Sequence, residues 1–192
     1  GRAPLSKLFL PAMPFSVSYH RCWPHDLDGY MEMNNGRILS ILDIGRSGLA
    51  QRVGLIGALK DNSWGMTMAG NSVRYRKRIR PFAKFRTVSR AVGWDDKFFY
   101  LEHSIWIDTD CAVQALFRSA VTDRNGIVSP AKVFAHVGHD AASPQMPAWV
   151  QAWIAAENTR PWPPEFGQTL EQQDAQTPSK QVDTSAAHAS SL

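Results

Sequence analysis

The chain has 192 residues, of which 44% are hydrophobic and 20% are charged, a composition that fits one folded domain with a sizeable core. The net charge of +4 is a modest basic excess, which suits an anionic partner such as nucleic acid, a membrane surface or a small polyanion. Cys22 and Cys111 exclude a disulfide framework, and no apolar run approaches the roughly 18 residues of a membrane span. We therefore expect a cytoplasmic domain without a membrane span.

The N-terminal part of the chain predicts an arm followed by a strand. Residues 1–13 contain two prolines and a short apolar patch, which indicates an arm rather than a regular element. From Phe15 to Cys22, two sets of side chains alternate with the period of a strand. This strand leads directly into an acidic segment.

Three acids fall within seven positions of that segment, Asp26, Asp28 and Glu32, and the pair Asn34–Asn35 follows them. Asn is a favoured N-cap residue because its side-chain oxygen accepts an amide of the first helical turn. We therefore expect the acids on a short loop whose neighbouring helix directs its first amides back toward them. A carboxylate and free helix amides at one small volume suit attack on a polarised carbonyl. The alternative is an ordinary turn whose acids compensate the helix dipole.

The run from Gly36 to about Val53 has the period of a helix with one polar stripe. The stripe consists of Ser40, Asp43, Ser47 and Gln51. The remaining apolar arc is wide, so we expect other structure to wrap this helix. Gly45 and Gly48 lie in the arc, where each Gly costs about 1 kcal/mol relative to Ala. They either allow a close backbone approach or simply weaken the helix.

The pattern changes to a period of two from Trp64 onward. Alternate positions up to Arg80 place Arg74, Arg76 and Arg78 on one strand face. Three further alternating strands are predicted at residues 84–94, 98–107 and 111–122, with turns at residues 95–97 and 109–110. One strand, one long helix and a meander of four antiparallel strands is thus the predicted order.

The C-terminal part predicts two short helices and a tail. Ser129–Pro130 begins a helix that extends to about Val137, and a second helix is predicted over residues 147–158. Residues 168–192 are rich in Gln, Ser, Ala and Thr without any period, and we expect disorder there. The predicted organisation is an arm (1–13), a main domain (14–140), a helical extension (141–167) and a disordered tail (168–192).

Two motifs resemble one known family. The pattern Asp26-x-Asp28-x3-Glu32-Met33-Asn34-Asn35-x2-Ile38 is similar to the signature Asp-x-Asp-x-x-Gly-His-Val/Met-Asn-Asn-x-x-Tyr of 4-hydroxybenzoyl-CoA-type thioesterases, which have the hotdog fold. The stretch Gly93–His103 is similar to the branch typified by thioesterase superfamily member six. The resemblance covers residues 14 to 140. Glu32 stands where the family usually has His, and Ile38 where it often has Tyr.

The resemblance implies an α+β hotdog fold, with a long central helix wrapped by a curved antiparallel sheet and short helices at the C-terminus. It also implies a homodimer or homotetramer that hydrolyses acyl-CoA or a related thioester. Asp28 takes the position of the family's catalytic carboxylate, as a nucleophile or as a general base on water. The backbone amides around Asn34, Asn35 and Gly36 would polarise the thioester carbonyl.

The roles of two groups of side chains have several interpretations. Glu32 is a second acid–base group, a neighbour that raises the pKa of Asp28, or a first-turn acid that stabilises the helix. Arg74, Arg76 and Arg78 form a track for the phosphates of coenzyme A, a solvated face that protects the sheet edge, or a nucleic-acid surface. The modest net charge and the lack of a nucleic-acid-binding motif disfavour the last of these.

A metal-binding site is a further interpretation of the acidic segment. His25 with the neighbouring acids matches no metal motif, and we therefore expect neither a metal nor another cofactor. A protein of another class shares the same features, namely a non-catalytic hotdog protein that binds acyl-CoA or lipid, and the missing His at Glu32 favours it. Release of free thiol distinguishes this binder from the enzyme.

Overall fold

The computed structural model describes residues 16–136 and 142–164. They belong to two units, of which the first ends at Val150 and the second begins at Gln151. The predicted arm (1–13) and the predicted tail (168–192) lie outside the described residues. The four predicted segment boundaries therefore stay predictions.

The elements follow the predicted order. They are β1 (Ser16–Arg21), α1 (Asn35–Arg52), α2 (Leu55–Asp61), β2 (Gly65–Tyr75), β3 (Lys84–Trp94), β4 (Phe99–Ile107), β5 (Asp110–Asp123), β6 (Gly126–Val128), α3 (Pro130–His136) and α4 (Ala148–Thr159). The long helix and the four long strands lie within a few residues of their predicted positions, except at the end of β2. Sequence reasoning missed α2 and β6. Gly54 separates α1 from α2 because it adopts a left-handed φ of 78°.

The strands form one antiparallel sheet in the order β1-β3-β4-β5-β2, and β6 pairs with the end of β5. Ser89 of β3 lies opposite His103 of β4, which lies opposite Ala115 of β5. These residues therefore share one face of the sheet. Helix α1 contacts β1, β3 and β4. A long helix packed on a curled antiparallel sheet in this order is the hotdog fold, so the predicted α+β class is confirmed.

Close approach between α1 and the sheet depends on one glycine. A Cβ atom added at Gly45 would lie 2.7 Å from the Ser89 hydroxyl oxygen, a distance that real Cβ contacts do not reach. A Cβ atom at Gly48 would lie 3.8 Å from the Ser16 hydroxyl, which is ordinary van der Waals contact. The close-approach interpretation is thus confirmed for Gly45, whereas Gly48 has room for a larger residue.

Polar side chains are buried beneath the same helix. His103 is fully buried, and its Nδ1 lies 2.7 Å from the Ser89 hydroxyl oxygen. Burial, together with the nearby positive charge of Arg46, lowers the pKa of His103 to about 3, so its ring is neutral at physiological pH, and its buried Nε2 has no hydrogen-bond partner among the described residues. Arg46 donates from Nη1 to Ser119 at 3.3 Å and forms an ion pair with Asp43. The sequence pattern had placed only apolar residues and glycines in this arc.

The predicted arginine strand is wrong beyond Tyr75. β2 ends there, and the backbone amides of Arg76 and Lys77 both donate to the carbonyl oxygen of Ala112. Two consecutive amides on one acceptor break the alternation of a regular strand, so Arg76 and Arg78 do not continue the strand face of Arg74. The segment from Arg76 to Ala83 instead crosses to the acidic loop.

Candidate active site

The acidic residues lie on a tight loop that is closed by backbone hydrogen bonds. Leu27 and Met33 pair as an isolated antiparallel bridge, and the Asp28 amide donates to the Glu32 carbonyl oxygen at 2.8 Å. Inside this loop, the amide of Tyr30 donates to Oδ1 of Asp28 at 2.8 Å. One oxygen of the Asp28 carboxylate therefore closes an Asx turn, and the other has no hydrogen-bond partner among the described residues. The half-buried carboxylate is held in place without being neutralised by a cation.

The loop contains one left-handed residue. Met31 has a φ of 57°, a conformation that favours glycine because a side chain there meets the backbone. The family signature has Gly at this position, so Met31 is a third departure from it. The motif comparison alone reveals this departure. The positive φ of Met31 is seen only in the structure. Tyr30 and Met31 are both exposed at the tip of the loop.

Asp26 anchors the loop to the start of α1. Its side chain is only 2% exposed, and it accepts from the Trp23 amide at 2.7 Å and from Nε of Arg37 at 2.6 Å. Burial alone would raise the pKa of Asp26, but the hydrogen bonds from Trp23 and Arg37 outweigh it and hold that pKa below its usual value. The backbone carbonyl of Asp26 also accepts from the Asn34 amide at 2.8 Å. Asp26 is therefore a structural acid.

The first turn of α1 offers fewer free amides than the sequence predicts. Asn34 caps the helix as expected, because its Oδ1 accepts from the Gly36 amide at 2.8 Å and from the Arg37 amide at 3.4 Å. The Asn34 amide is already bonded to Asp26. The amides of Asn34 and Gly36 therefore already have partners within the chain, and their role toward a substrate stays a prediction. The Asn35 amide has no hydrogen-bond partner among the described residues.

Glu32 and Arg78, which sequence reasoning placed in separate groups, form an ion pair. The Arg78 Nε lies 3.0 Å from Oε2 of Glu32. The Met33 amide donates to the carbonyl oxygen of Ile79 at 2.9 Å, which attaches the loop to the same segment. Ile79 is almost fully buried and fixes that segment to the core. The loop that carries Asp28 is therefore supported by residues 78–79 as well as by α1.

The three predicted arginines have different surroundings. Arg78 is the partner of Glu32, whereas the exposed side chains of Arg74 and Arg76 have no ion pair with any described residue. Arg74 faces Gln114 of β5 on the sheet face opposite α1. A continuous track of three arginines along one strand is not present.

The described residues contain neither a metal-binding cluster nor a membrane-spanning helix. No group of three or more His, Cys, Asp or Glu side chains in residues 16–136 and 142–164 is arranged to hold a metal ion. No described helix is both long and apolar enough to cross a membrane.

Sequence reasoning predicted that Asp95 forms a turn. Its carboxylate accepts from the amides of Lys97 and Phe98, so that prediction is confirmed.

Comparison with known proteins places the chain in a family. The sequence profile of the thioesterase-like superfamily matches residues 22–154, which include the acidic loop, α1 and the five strands β2 to β6. The chain belongs to the thioesterase-like superfamily. Within this superfamily the chain is 36% identical over 134 residues to Protein THEM6 of Xenopus laevis, which supports the predicted branch. The match covers 68% of this chain and 63% of that relative, so the chain spans less than two thirds of the relative's length.

Solved structures with the same fold are distant in sequence. A DHNA-CoA thioesterase from Staphylococcus aureus superposes with a TM-score of 0.57 at 11% identity, over 75% of this chain and 91% of that one. Protein SAV2348 of the same organism, solved in complex with CoA, has a TM-score of 0.58 at 10% identity, over 71% and 92% of the two chains. At these identities the structures support the hotdog fold of this thioesterase-like chain.

Proposed function

We propose that this thioesterase-like protein hydrolyses acyl-CoA thioesters, with Asp28 as the catalytic carboxylate. The observation that carries the proposal is the geometry of the loop. Asp28 stands at the family's catalytic position, and one of its oxygens accepts from the Tyr30 amide. The loop leads directly to the amide of Asn35, which has no hydrogen-bond partner among the described residues. A carboxylate and a helix N-terminal amide in one loop are the groups that acyl transfer requires.

The two mechanisms that remain open have the same products. As a nucleophile, a carboxylate oxygen of Asp28 attacks the thioester carbonyl carbon, the C–S bond breaks, and water hydrolyses the resulting anhydride. As a general base, Asp28 takes a proton from water, whose oxygen attacks the same carbon; the C–S bond then breaks, and the departing thiolate takes up the proton. In both cases the carboxylic acid and the free thiol leave. The Asn35 amide stabilises the oxyanion, and one such donor is commonly worth about 3 kcal/mol.

We assign Glu32 a positioning role. Because its carboxylate is paired with Arg78, Glu32 fixes the Asp28 loop to the segment that follows β2. This replaces the acid–base role that sequence reasoning had kept open for it. The superfamily membership and the CoA-related structural neighbours support a thioester as the substrate. A homodimer or homotetramer and a cytoplasmic location remain proposals that sedimentation and cell fractionation test.

The second candidate function is a non-catalytic acyl-CoA or lipid-binding protein. The observation that favours it is Glu32 itself, because the family's usual His is replaced by a carboxylate held in an ion pair. The deciding experiment measures release of free thiol from acyl-CoAs of graded chain length, including aromatic ones. Turnover that depends on Asp28 supports the enzyme. Binding of acyl-CoA without thiol release supports the binder.

The ion pair gives a prediction for the positioning role. Glu32→Gln and Arg78→Gln should each lower kcat about tenfold, and the double variant should lose little more, since residues that act as one unit are not additive. The measurement is steady-state thiol release with the three variants. Arg80→Gln is the matched control, because Arg80 lies exposed on the same segment without an ion pair to a described residue. If Glu32→Gln abolishes turnover and Arg78→Gln has no effect, Glu32 is itself a catalytic residue.

A further inference from the structure

A groove lies on the sheet face opposite α1, outside the acidic loop. Its volume is about 310 Å³, and it is lined by Ser72, Arg74, Gln114, Ala115, Leu116 and Trp149. Ser72 and Arg74 are paired in register with Leu116 and Gln114, which sets these side chains on one face of β2 and β5. Trp149 enters from the first turn of α4. The volume falls at the lower end of the range for small-molecule sites.

The groove presents the positive charge of Arg74, which no described acid compensates. Arg74 is exposed, and its guanidinium has no hydrogen bond or ion pair with a described residue. The nearby carboxylate of Glu102 is already engaged by Arg90 at Nε and by Gln114 at Nε2, both at 2.7 Å. Glu102 therefore already accepts hydrogen bonds from two other side chains and does not neutralise Arg74. A free guanidinium at the rim of a groove suits a phosphate, which it binds through two parallel hydrogen bonds.

The rest of the lining suits a purine base. Trp149 is 43% exposed, so a substantial part of its indole remains available for stacking. The amide nitrogen of Gln114 donates to Glu102, which leaves the carbonyl oxygen of that amide to accept from an amino group. Leu116 supplies an apolar base to the groove. An aromatic face, an acceptor and a phosphate-binding cation are the features that recognise an adenine nucleotide.

The position of the groove connects it to the candidate active site. Arg74 lines the groove, and Arg78, four residues later, contacts Glu32 of the Asp28 loop. Four residues span at most roughly 14 Å, so a short segment joins the groove to the ion pair that supports the Asp28 loop. We propose that the groove binds the 3′-phosphoadenosine diphosphate end of coenzyme A, so that the thioester is carried by coenzyme A rather than by an acyl carrier protein. This inference rests on the proposed function but concerns a different set of residues.

The experiment is calorimetric titration of the full chain with two ligands that contain no thioester, adenosine 3′,5′-bisphosphate and desulfo-coenzyme A. Both should bind, and they should compete with each other. Trp149→Ala should weaken each ligand at least about tenfold through the loss of stacking, and Arg74→Gln should do so through the loss of a phosphate contact. Binding that is equal in wild type and in both variants, or that is absent throughout, overturns the groove assignment.

Conservative variants separate recognition from a folding defect. Trp149→Tyr keeps an aromatic face and Arg74→Lys keeps the charge, so each should retain more affinity than the corresponding Ala or Gln variant. Arg124→Gln and Trp162→Phe are controls, because these exposed residues do not line the groove, and neither should change the affinity. If the conservative variants bind as weakly as the disruptive ones while all remain folded, side-chain chemistry in the groove does not recognise the nucleotide.

Activity measurements distinguish this inference from the proposed function. With acyl-CoA, Trp149→Ala and Arg74→Gln should raise KM at least about tenfold. With an acyl-pantetheine, which lacks the nucleotide, they should leave kcat/KM unchanged. Equal losses for both substrates overturn the groove assignment and leave the thioesterase standing. Nucleotide binding that depends on Trp149, without thiol release from any substrate, supports the groove and contradicts the proposed catalysis.

Discussion

Replacing Asp28 by Asn should lower kcat for acyl-CoA at least about a hundredfold, which corresponds to about 2.7 kcal/mol of transition-state stabilisation. An amide at this position can neither attack the thioester as a carboxylate nor accept a proton from water. The side-chain oxygen of Asn can still accept from the Tyr30 amide, because Asn closes the same turn as Asp. Catalysis should therefore be lost while the loop keeps its structure.

The measurement combines thiol release under single-turnover conditions with thermal unfolding. We expect a melting temperature within about 2 °C of the wild type, since a change of 1 kcal/mol would shift it by only a few degrees. Asp96→Asn is the matched control, because Asp96 lies exposed in the turn between β3 and β4. Full activity in Asp28→Asn would exclude this carboxylate as nucleophile and as base. A strongly lowered melting temperature would instead give Asp28 a structural role.

The fold could be predicted because its signals are local and repeated. The polar stripe of α1 and the alternation in β3, β4 and β5 each extend over many residues, so single exceptions do not hide the period. The same reasoning failed after Tyr75, where alternating arginines continue although the strand ends. Alternation in sequence does not show which amides find a partner, and here Arg76 and Lys77 share Ala112. The end of β2 is set by its neighbour β5 rather than by its own sequence.

The site could be predicted only in outline. The N-cap of Asn34 follows from residue type and spacing, and the structure contains it. The contact between Glu32 and Arg78 joins residues 46 positions apart, and no local pattern records such a pair. Arg46 was missed for a related reason. Its charged side chain lies in an apolar arc and is buried because it donates a hydrogen bond to Ser119, which is distant in sequence. Tertiary contacts, which the sequence pattern does not record, therefore decide which of the predicted residues contact each other.

Replacing Asp26 by Ala should lower the free energy of unfolding at pH 7 by about 3 kcal/mol, because a buried charged partner is removed from two hydrogen-bond donors. The Trp23 amide would lose its acceptor and Arg37 would lose its ion-pair partner. For a chain of this size the melting temperature should fall by roughly 6–12 °C. Because Asp26 connects the acidic loop to α1, kcat should fall as well. Denaturant unfolding and thiol release are the two measurements.

The pH dependence of this effect identifies its cause. The pKa of Asp26 in the folded chain lies below its ordinary value of 3.8, so the ionised carboxylate stabilises the fold fully above that value. As the pH falls through the lower folded pKa, the contribution is lost, and the difference between wild type and Asp26→Ala should shrink below about pH 4. Asp123→Ala is the control, because within the described part of the chain the Asp123 carboxylate accepts only from the Asn125 amide in an exposed turn. A difference that stays constant down to pH 2 would mean that packing, and not the charge of Asp26, holds the loop against α1.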